Sequence, residues 1–318
     1  MTTPGYNSGG QNISGQFGMP LYGIGGLNPF TGNWYWVDET NGSDGNTGGP
    51  QDAFKTLTQA LAKCTDGNND VVFLTGTVHV SATVAWSKNK THLIGLAPNL
   101  RSEARARISQ TGSVVFTPLV NVTGSECIFR DIGSFHGFND ASTQICWTDS
   151  GGRNEYTRCA FLGMGNATAA AQAGSRNLTI VGPNGENTFT DCVIGLDTIV
   201  RATGNNAGIE MLSGTPRNVF RNCLIVALCS NAADLHLLVG AGGIDRYALF
   251  DGCTFVNAVD STGVALTVAA TVNAAAGGSV ILRECCSVGS TVYATTGPIY
   301  VQGSVPTANT TGLAVKAT

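Results

Sequence analysis

Charged side chains are scarce in this sequence. Asp, Glu, Lys and Arg together make up 12% of the 318 residues, whereas about 25% is usual in soluble domains. The formal net charge is −4, and the densest basic group is Arg101, Arg105 and Arg107. A nucleic-acid-binding surface needs a larger basic patch, so we expect no nucleic-acid partner.

Membrane, secretion and metal-binding signals are also lacking. No apolar run reaches 18 residues, so we expect no transmembrane helix and no membrane partner. The first residues, MTTPGYNSGGQ, contain neither the basic nor the apolar part of a signal peptide. None of the ten cysteines forms a C-x-x-C pair, and no two histidines stand at metal-ligand spacing. We therefore predict no metal site and no cofactor.

Glycine, by contrast, is abundant, and apolar residues are sufficient for a core. The chain has 42 glycines, and 42% of its residues are hydrophobic. With so little charge, Thr, Ser, Asn and Gly must supply the polar surface. This composition suits stacked strands joined by tight turns, and it also suits a surface covered by other copies of the chain.

Residues 1–33 form a distinct segment that contains no Asp, Glu, Lys, Arg or His. Large apolar residues are scattered along it: Tyr6, Phe17, Leu21, Tyr22 and Phe30. The segment is either a disordered terminus or an extended arm that becomes ordered against a partner. So many apolar anchors with so little charge favour the arm, and these five residues are the predicted docking residues.

Residues 34–318 are predicted to form a single domain rich in strands. Trp34–Val37 is typical of a strand, and the apolar spacing of Leu57 and Leu61 predicts a helix over about 53–63. After residue 70 short β-rich runs follow one another, separated by Gly, Asn, Asp and Ser. The one exception is the Ala-rich stretch 167–173, which is predicted to be a short loop helix.

A short motif recurs every 27–33 residues. It consists of an apolar residue, two further residues, a cysteine, and a second apolar residue two positions later. The copies place cysteines at Cys159, Cys192, Cys223, Cys253 and Cys285, and an earlier copy has Ile132 in the cysteine position. No copy contains an amphipathic helix pair, so each repeat fits one strand-rich coil of a solenoid.

In–out alternation along each coil is expected to point the first apolar residue and the cysteine inward. Coils stacked at about 4.8 Å would then place the five cysteines in one vertical file. This file could be interpreted as a metal or redox site. Buried cysteine behaves as a small hydrophobic residue, so we predict a structural ladder instead.

The segment from Trp34, with its NGSDGN turn, predicted helix and DVVFLTGTVHV run, resembles the start of pectin-lyase-like right-handed parallel β-helices. In that family a short helix caps the first coil, and later coils carry a strand with an F-x-[DN]-C pattern. The resemblance covers about 34–300 and implies an all-β fold. Its parts are a capping helix at about 53–63, coils over about 70–300 and an extended N-terminal arm.

Polysaccharide lyases of this family use clustered acids with Ca²⁺ and a basic residue, and its hydrolases use grouped Asp residues. Here Asp131, Asp140 and Asp149 are spread over neighbouring stretches, and the family's catalytic motifs are not found. The stretch 135–138 (FHGF) could present His136 as a general base beside aromatic sugar platforms. It is equally a turn with two anchors and a surface histidine, which is the interpretation we adopt. We predict no catalytic residue and no enzyme activity.

The uncharged arm and the WYWVDETNGSDGN segment also resemble virion-associated β-helix proteins of tailed bacteriophages. This resemblance implies a capsid decoration (cement) protein without catalysis, made in the host cytoplasm and placed on the outer surface of the capsid. Its partners would be other copies of itself in a homotrimer and, through the arm, the major capsid protein or another virion protein. The alternative is a tail spike or tail fibre that binds or degrades host-surface polysaccharide.

Overall fold

A computed structural model describes residues 32–96, 106–111, 114–170, 172–258 and 264–302. The predicted docking residues Tyr6, Phe17, Leu21, Tyr22 and Phe30 lie outside the described residues. Within the described ranges, no helix has the length and apolar character needed to cross a membrane.

Three parallel sheets run along the molecule, with strands numbered in chain order. The ten strands of sheet 1 are β1 (Trp34–Asp38), β2 (Asp70–Thr75), β5 (Thr91–Gly95), β8 (Ile128–Arg130), β11 (Glu155–Thr157), β14 (Thr188–Thr190), β18 (Thr215–Arg221), β21 (Ile244–Asp251), β25 (Ser279–Arg283) and β28 (Ile299–Gln302).

Sheets 2 and 3 take the intervening strands. Sheet 2 contains β3 (Thr77–Val80), β6 (Arg107–Gln110), β9 (Gly133–Phe135), β12 (Ala160–Leu162), β15 (Val193–Ile194), β19 (Leu224–Cys229), β22 (Thr254–Asn257) and β26 (Cys286–Val288), with β16 (Val200–Arg201) paired beside β19. Sheet 3 contains β4 (Val84–Trp86), β7 (Val120–Val122), β10 (Ile145–Asp149), β13 (Arg176–Val181), β17 (Ala207–Leu212), β20 (Leu235–Val239) and β24 (Ala270–Val272). A separate pair joins β23 (Leu266–Val268) to β27 (Ser290–Val292).

The chain passes from sheet 1 to sheet 2 to sheet 3 and returns to sheet 1 one level further along. Every strand pairing between coils is parallel, as in β11 with β8 on one side and β14 on the other. The ten strands of sheet 1, at about 4.8 Å per interval, give a height of about 43 Å. The predicted all-β right-handed parallel β-helix is confirmed.

Helix α1 (Leu57–Lys63) lies beside the first coil, with Leu57 and Ala60 buried. The sequence pattern placed its start near residue 53, but the helix begins four residues later. Phe54 donates its N–H to the carbonyl of Trp36 in a bridge to β1. Asp44 accepts the N–H groups of Lys55 and Thr56, which holds these residues outside the helix.

Both ends of α1 have hydrogen-bond partners. The Thr56 hydroxyl accepts the N–H of Gln59 at 3.2 Å, as an N-cap residue does. At the other end Lys88 donates to the carbonyl of Leu61 at 2.6 Å and to that of Cys64. A second helix, α2 (Ala167–Ala170), lies in the Ala-rich stretch.

The recurring motif marks the corner between sheets 1 and 2. The residue before each motif cysteine has a φ between 49° and 63°: Arg158, Asp191, Asn222, Gly252 and Glu284. In a regular strand, positions three apart face opposite sides, so the alternation expected from the sequence is wrong at this point. The left-handed residue bends the chain, and this bend brings both the apolar residue and the cysteine into the interior.

Aromatic rings stack along the interior, one per coil. Phe129, Tyr156, Phe189, Phe220 and Phe250 follow one another with ring centroids 4.5–4.9 Å apart and planes within 7° of parallel. All five side chains are fully buried. The stacking follows directly from the register, because these residues occupy paired positions in successive strands of sheet 1.

An asparagine ladder runs two residues ahead of this stack. Each side-chain oxygen accepts the backbone N–H of the coil before it: Asn154 from Cys127 at 2.8 Å, Asn187 from Asn154 at 2.9 Å, and Asn218 from Asn187 at 3.2 Å. These three asparagines are buried. Their spacing before Tyr156, Phe189 and Phe220 was a sequence signal that the motif analysis missed.

Candidate functional site

Acidic side chains on the outside of the coils are the first candidates for chemistry, and several of them are held by arginines of adjacent coils. Arg158 binds Asp131 through two hydrogen bonds of 2.6 Å. Arg283 binds Asp251 in the same two-pronged way, and this pair lowers the pKa of Asp251. A carboxyl group with a lowered pKa stays ionised at neutral pH, which does not suit a general acid.

Glu186 forms a larger ion-pair group. It accepts hydrogen bonds from Arg217 and from Arg153, the latter at 3.0 Å, and both arginines lower its pKa. Arg130 and Glu155 form a further pair at 3.0 Å. These pairs connect residues 25–33 positions apart in sequence, so they tie one coil to the next.

Asp149 is a carboxyl group of a different kind, because it lies in the interior with no exposed surface. One oxygen accepts the N–H groups of Gly151 and Gly152 at 3.0 and 3.1 Å. The other accepts the hydroxyl of Tyr156 at 2.6 Å and the amide of Asn154 at 3.0 Å. Burial raises its pKa, and the four hydrogen bonds oppose that effect. Asp149 therefore fastens the turn after β10 to the core and is closed to substrate.

His136 does not lie on the surface, as the sequence interpretation of the 135–138 stretch expected. Its ring is fully buried beside Phe116 and Phe138, at centroid distances of 5.5 and 5.1 Å. Nδ1 donates to the carbonyl of Ile145 at 3.0 Å, and burial lowers the pKa of the ring to about 4. His136 directly follows β9, two positions after the buried Ser134, and its N–H still pairs with the carbonyl of Leu162 on the next coil. Strand alternation therefore turns its ring into the interior, where it is part of the packing and has no access to a sugar.

The other three histidines are dispersed through the molecule. His79 pairs with Glu39 at 2.7 Å on the surface. His92 accepts the N–H of Ile128 and contacts the side chain of Asn69 at 2.7 Å. His236 is fully buried, and burial lowers its pKa to about 3. Among the described residues, no group of three or more His, Cys, Asp or Glu side chains could hold a metal ion.

The motif cysteines lie in one file in the interior. Cys159, Cys192, Cys223, Cys253 and Cys285 are buried, and each thiol donates to the carbonyl of the aromatic position one coil earlier, at 3.3–3.5 Å. Burial raises the pKa of Cys192 well above its ordinary value, and hydrogen bonding to Cys192 raises that of Cys223. Metal ligation and nucleophilic attack need the thiolate, so these pKa values disfavour both. All ten cysteines are free thiols.

A shallow depression of about 390 Å³ opens on the side of sheet 3. Arg176, Asn205, Leu235, Leu238 and Thr271 are among the residues that line it. The Arg176 guanidinium already donates to the carbonyls of Ser175 and Asn205 and to Glu210, each at 2.9 Å. The surface of the depression therefore consists mainly of aliphatic and polar uncharged groups. Its one charged group, Arg176, is already paired with Glu210.

Comparison with known proteins identifies the fold and goes no further. No family model matches the sequence, and no curated protein matches it. Among solved structures, the pectate lyase Pel9A superposes with a TM-score of 0.61 at 16% identity, covering 85% of this chain and 68% of that one. A rhamnogalacturonan lyase gives 0.56 at 15% identity, with coverages of 88% and 75%.

A pectin methylesterase in complex with a hexasaccharide gives a TM-score of 0.50 at 13% identity, covering 84% of this chain and 80% of that one. At these identities the likeness concerns the backbone path and not the chemistry. The chain thus has the right-handed parallel β-helix fold of the pectin-lyase-like proteins.

Proposed function

We propose that this protein is a structural component of a bacteriophage particle, a decoration protein on the outer surface of the capsid, without catalytic activity. The observation that carries the proposal is the pairing of outer carboxylates with arginines of neighbouring coils. Asp131, Glu186 and Asp251 are engaged in this way. Such pairs fix adjacent coils against each other and leave these acids unsuited to proton transfer.

The arm of residues 1–33 is the proposed docking element. Its apolar anchors Tyr6, Phe17, Leu21, Tyr22 and Phe30 would insert into the major capsid protein or another virion protein, as extended segments with aromatic anchors do. The β-helix would assemble as a homotrimer above the shell. The chain would be made in the host cytoplasm and would join the particle there.

The copy number per particle tests the location. Quantitative mass spectrometry of purified virions, against the major capsid protein, is expected to give hundreds of copies. A few to some tens would place the protein in a spike or fibre instead. Absence from the particle would refute both virion roles.

The arm is tested separately with particles that lack the protein. Deletion of residues 1–33 is expected to abolish binding while the β-helix stays folded by circular dichroism. A finer variant replaces Phe17 and Tyr22 with Ser, and its matched control replaces Asn12 and Gln16 with Ser. Binding retained after the deletion, or lost equally in variant and control, would refute docking through these anchors.

The second candidate function is a tail spike or fibre that binds or degrades host-surface polysaccharide. It is favoured by the fold shared with the pectate lyase and the rhamnogalacturonan lyase, and by the depression near Arg176 and Thr271. Retardation of the protein in gels that contain host polysaccharide would support binding, and release of reducing or unsaturated ends would support cleavage. Neither effect is expected of a decoration protein.

A further inference from the structure

Arg201 is a buried cation whose terminal nitrogens have no hydrogen-bond partner. Two arginines are buried within the part of the chain that the structure describes, Arg176 and Arg201. Arg176 donates to two backbone carbonyls and to Glu210. Arg201 is only 1% exposed, yet neither Nη1 nor Nη2 has an acceptor among the described residues. A buried guanidinium without acceptors is strongly destabilising, so this side chain requires a ligand.

A carboxylate with an unpartnered oxygen lies on the next coil. Arg201 ends β16, which pairs with Cys229, and its carbonyl accepts the N–H of Ser230 at 3.0 Å. Asp234 follows in the same loop as Ser230 and is fully buried. One of its oxygens accepts the N–H of Asn206 at 3.0 Å. The other oxygen, Oδ2, has no partner among the described residues.

His236 is the third buried group with unpartnered polar atoms. It stands two residues after Asp234, it is fully buried, and neither ring nitrogen is hydrogen-bonded within the described ranges. Burial lowers the pKa of His236 to about 3 and raises that of Asp234 to about 6, and the charge of Arg201 lowers both. The three side chains are therefore neighbours, although their unpartnered atoms form no hydrogen bond with one another. At neutral pH the ring is uncharged, with one donor and one acceptor nitrogen.

We propose that Arg201, Asp234 and His236 bind one small oxyanion that carries a proton, as hydrogen phosphate does, in the interior of the β-helix. Nη1 and Nη2 of Arg201 donate to two of its oxygens, which is the two-pronged geometry that arginine favours for phosphate. The protonated nitrogen of His236 donates to a third oxygen. Oδ2 of Asp234 can only accept, so it requires the proton of the anion itself. Sulfate and chloride carry no proton at neutral pH, and Asp234 therefore excludes them.

The number of donors and acceptors favours an oxyanion over water. The two Arg201 nitrogens carry four N–H bonds and the neutral His236 ring adds one, whereas the unpartnered acceptors are Oδ2 of Asp234 and the second ring nitrogen. A water molecule supplies as many donors as acceptors, so waters leave this excess of donors unchanged. Hydrogen phosphate supplies three oxygens that only accept and one hydroxyl that donates. It also brings negative charge to a buried cation.

The site lies behind the wall of the depression on sheet 3. Ala233 and Leu235, on either side of Asp234, line that depression, as does Asn205 from the loop that follows Arg201. The three binding side chains themselves are at most 1% exposed. A bound anion is therefore enclosed, and it joins the loop after β16 to the loop after β19 on the next coil.

The anion content of the purified protein is the first test. The full-length chain is purified in chloride buffer free of phosphate and sulfate, desalted and unfolded in guanidinium chloride, and ion chromatography measures the anions released. Because the site is enclosed, one phosphate per chain is expected. The second measurement is the unfolding midpoint at pH 8 in millimolar phosphate or sulfate of equal ionic strength. Phosphate is expected to raise the midpoint more than sulfate does, since it binds the folded chain.

Three variants assign the effect to this site. Arg201→Gln is expected to hold less than about a tenth of the wild-type phosphate and to lose the excess effect of phosphate on the midpoint. Asp234→Asn keeps an oxygen for the N–H of Asn206 but replaces the second oxygen with a donor, so sulfate is expected to stabilise it as much as phosphate. The matched control is Arg176→Gln, which alters the other buried arginine and is expected to retain phosphate.

The proposal is overturned if the wild-type protein releases no phosphate and its midpoint responds equally to both ions, because water then fills the site. Phosphate retained by Arg201→Gln, or lost equally from Arg201→Gln and Arg176→Gln, would place the anion elsewhere. If Arg201→Gln does not fold, Asp234→Asn decides, since an unchanged preference for phosphate contradicts the role of Oδ2. The decoration role does not enter these measurements and is judged by copy number per particle.

Discussion

Three buried histidines should make the stability of this protein depend on pH between 7 and 5. Burial lowers the pKa of His92 and His136 to about 4 and that of His236 to about 3. In the unfolded chain a histidine has a pKa near 6.5. As the pH falls below about 6.5, the histidines of the unfolded chain therefore bind protons while those of the folded chain stay neutral. The free energy of unfolding decreases as a result.

Local geometry explains why the three buried rings stay neutral. His92 accepts the N–H of Ile128 through Nδ1 at 3.0 Å, so protonation of that nitrogen would set two donors against each other. The His136 ring already donates through Nδ1 to the carbonyl of Ile145, so its second proton would go to the buried Nε2. His236 is enclosed in the core beside Phe255. Burial is the largest effect on all three rings: at His92 it outweighs the attraction of Asp70 and Glu155, and at His236 the charge of Arg201 adds to it.

The magnitude follows from the pKa differences. At pH 5 each histidine lies about 1.5 units below its unfolded pKa, which corresponds to about 2 kcal/mol, or about 6 kcal/mol for the three. Asp234 acts in the opposite sense, because burial raises its pKa to about 6. Its protonation returns about 1 kcal/mol. We expect a net loss of about 5 kcal/mol between pH 7 and pH 5. Below pH 5 the loss continues to grow, but by less per pH unit, as His92 and His136 begin to take up protons in the folded state.

Denaturant unfolding at pH 7, 6 and 5 measures this loss. His236→Leu is expected to remove about 2 kcal/mol of this loss, whatever its effect on stability at pH 7. The matched control, His79→Gln, removes a histidine that pairs with Glu39 on the surface. A stability that is flat from pH 7 to 5 would refute the reasoning. The reasoning would also be refuted if His236→Leu and His79→Gln changed the pH dependence of the unfolding free energy by the same amount.

Further predictions concern the cap, the core and the outer ion pairs. Leu57→Asp is expected to cause aggregation, visible as large species in light scattering, because it uncovers the first coil; a soluble, normally assembled variant would show that α1 is not a cap. Phe220→Ala is expected to cost about 4 kcal/mol in denaturant unfolding, since it leaves a cavity and breaks the stacks with Phe189 and Phe250. Arg283→Met should cost far less than Phe220→Ala, because solvent screens its pair with Asp251; an equal loss of stability in these two variants would contradict this ranking. Asp149→Ala is expected to cost about 3–5 kcal/mol by leaving four buried donors without their acceptor, and near-wild-type stability would refute its structural role.

Sequence repetition was sufficient to predict the solenoid. A coil must present the same kind of residue to the interior at each level, and the cysteines from Cys159 to Cys285 recur for that reason. The apolar spacing of Leu57 and Leu61 likewise predicted the helix. Its start could not be predicted from spacing, because Asp44 and Trp36, distant in sequence, bind the residues that precede Leu57.

The candidate sites depended more on tertiary structure. The sequence interpretation treated His136 as a surface residue, but it continues the in–out alternation of β9 and lies in the interior against Phe138. Asp131 and Arg158 stand 27 positions apart, and only the stacking of coils joins them. The resemblance to virion proteins suggested docking and a trimer, and both remain predictions.

What the sequence by itself determined is the coil. Each copy of the repeated motif contains the local pattern of apolar and turn residues that favours one coil. What only the tertiary structure decided is the neighbour of each side chain on the next coil. The length of each coil varies between copies, so the register between levels is set by how the coils pack. That register pairs outer acids with arginines and stacks Phe189, Phe220 and Phe250 ring on ring in the interior.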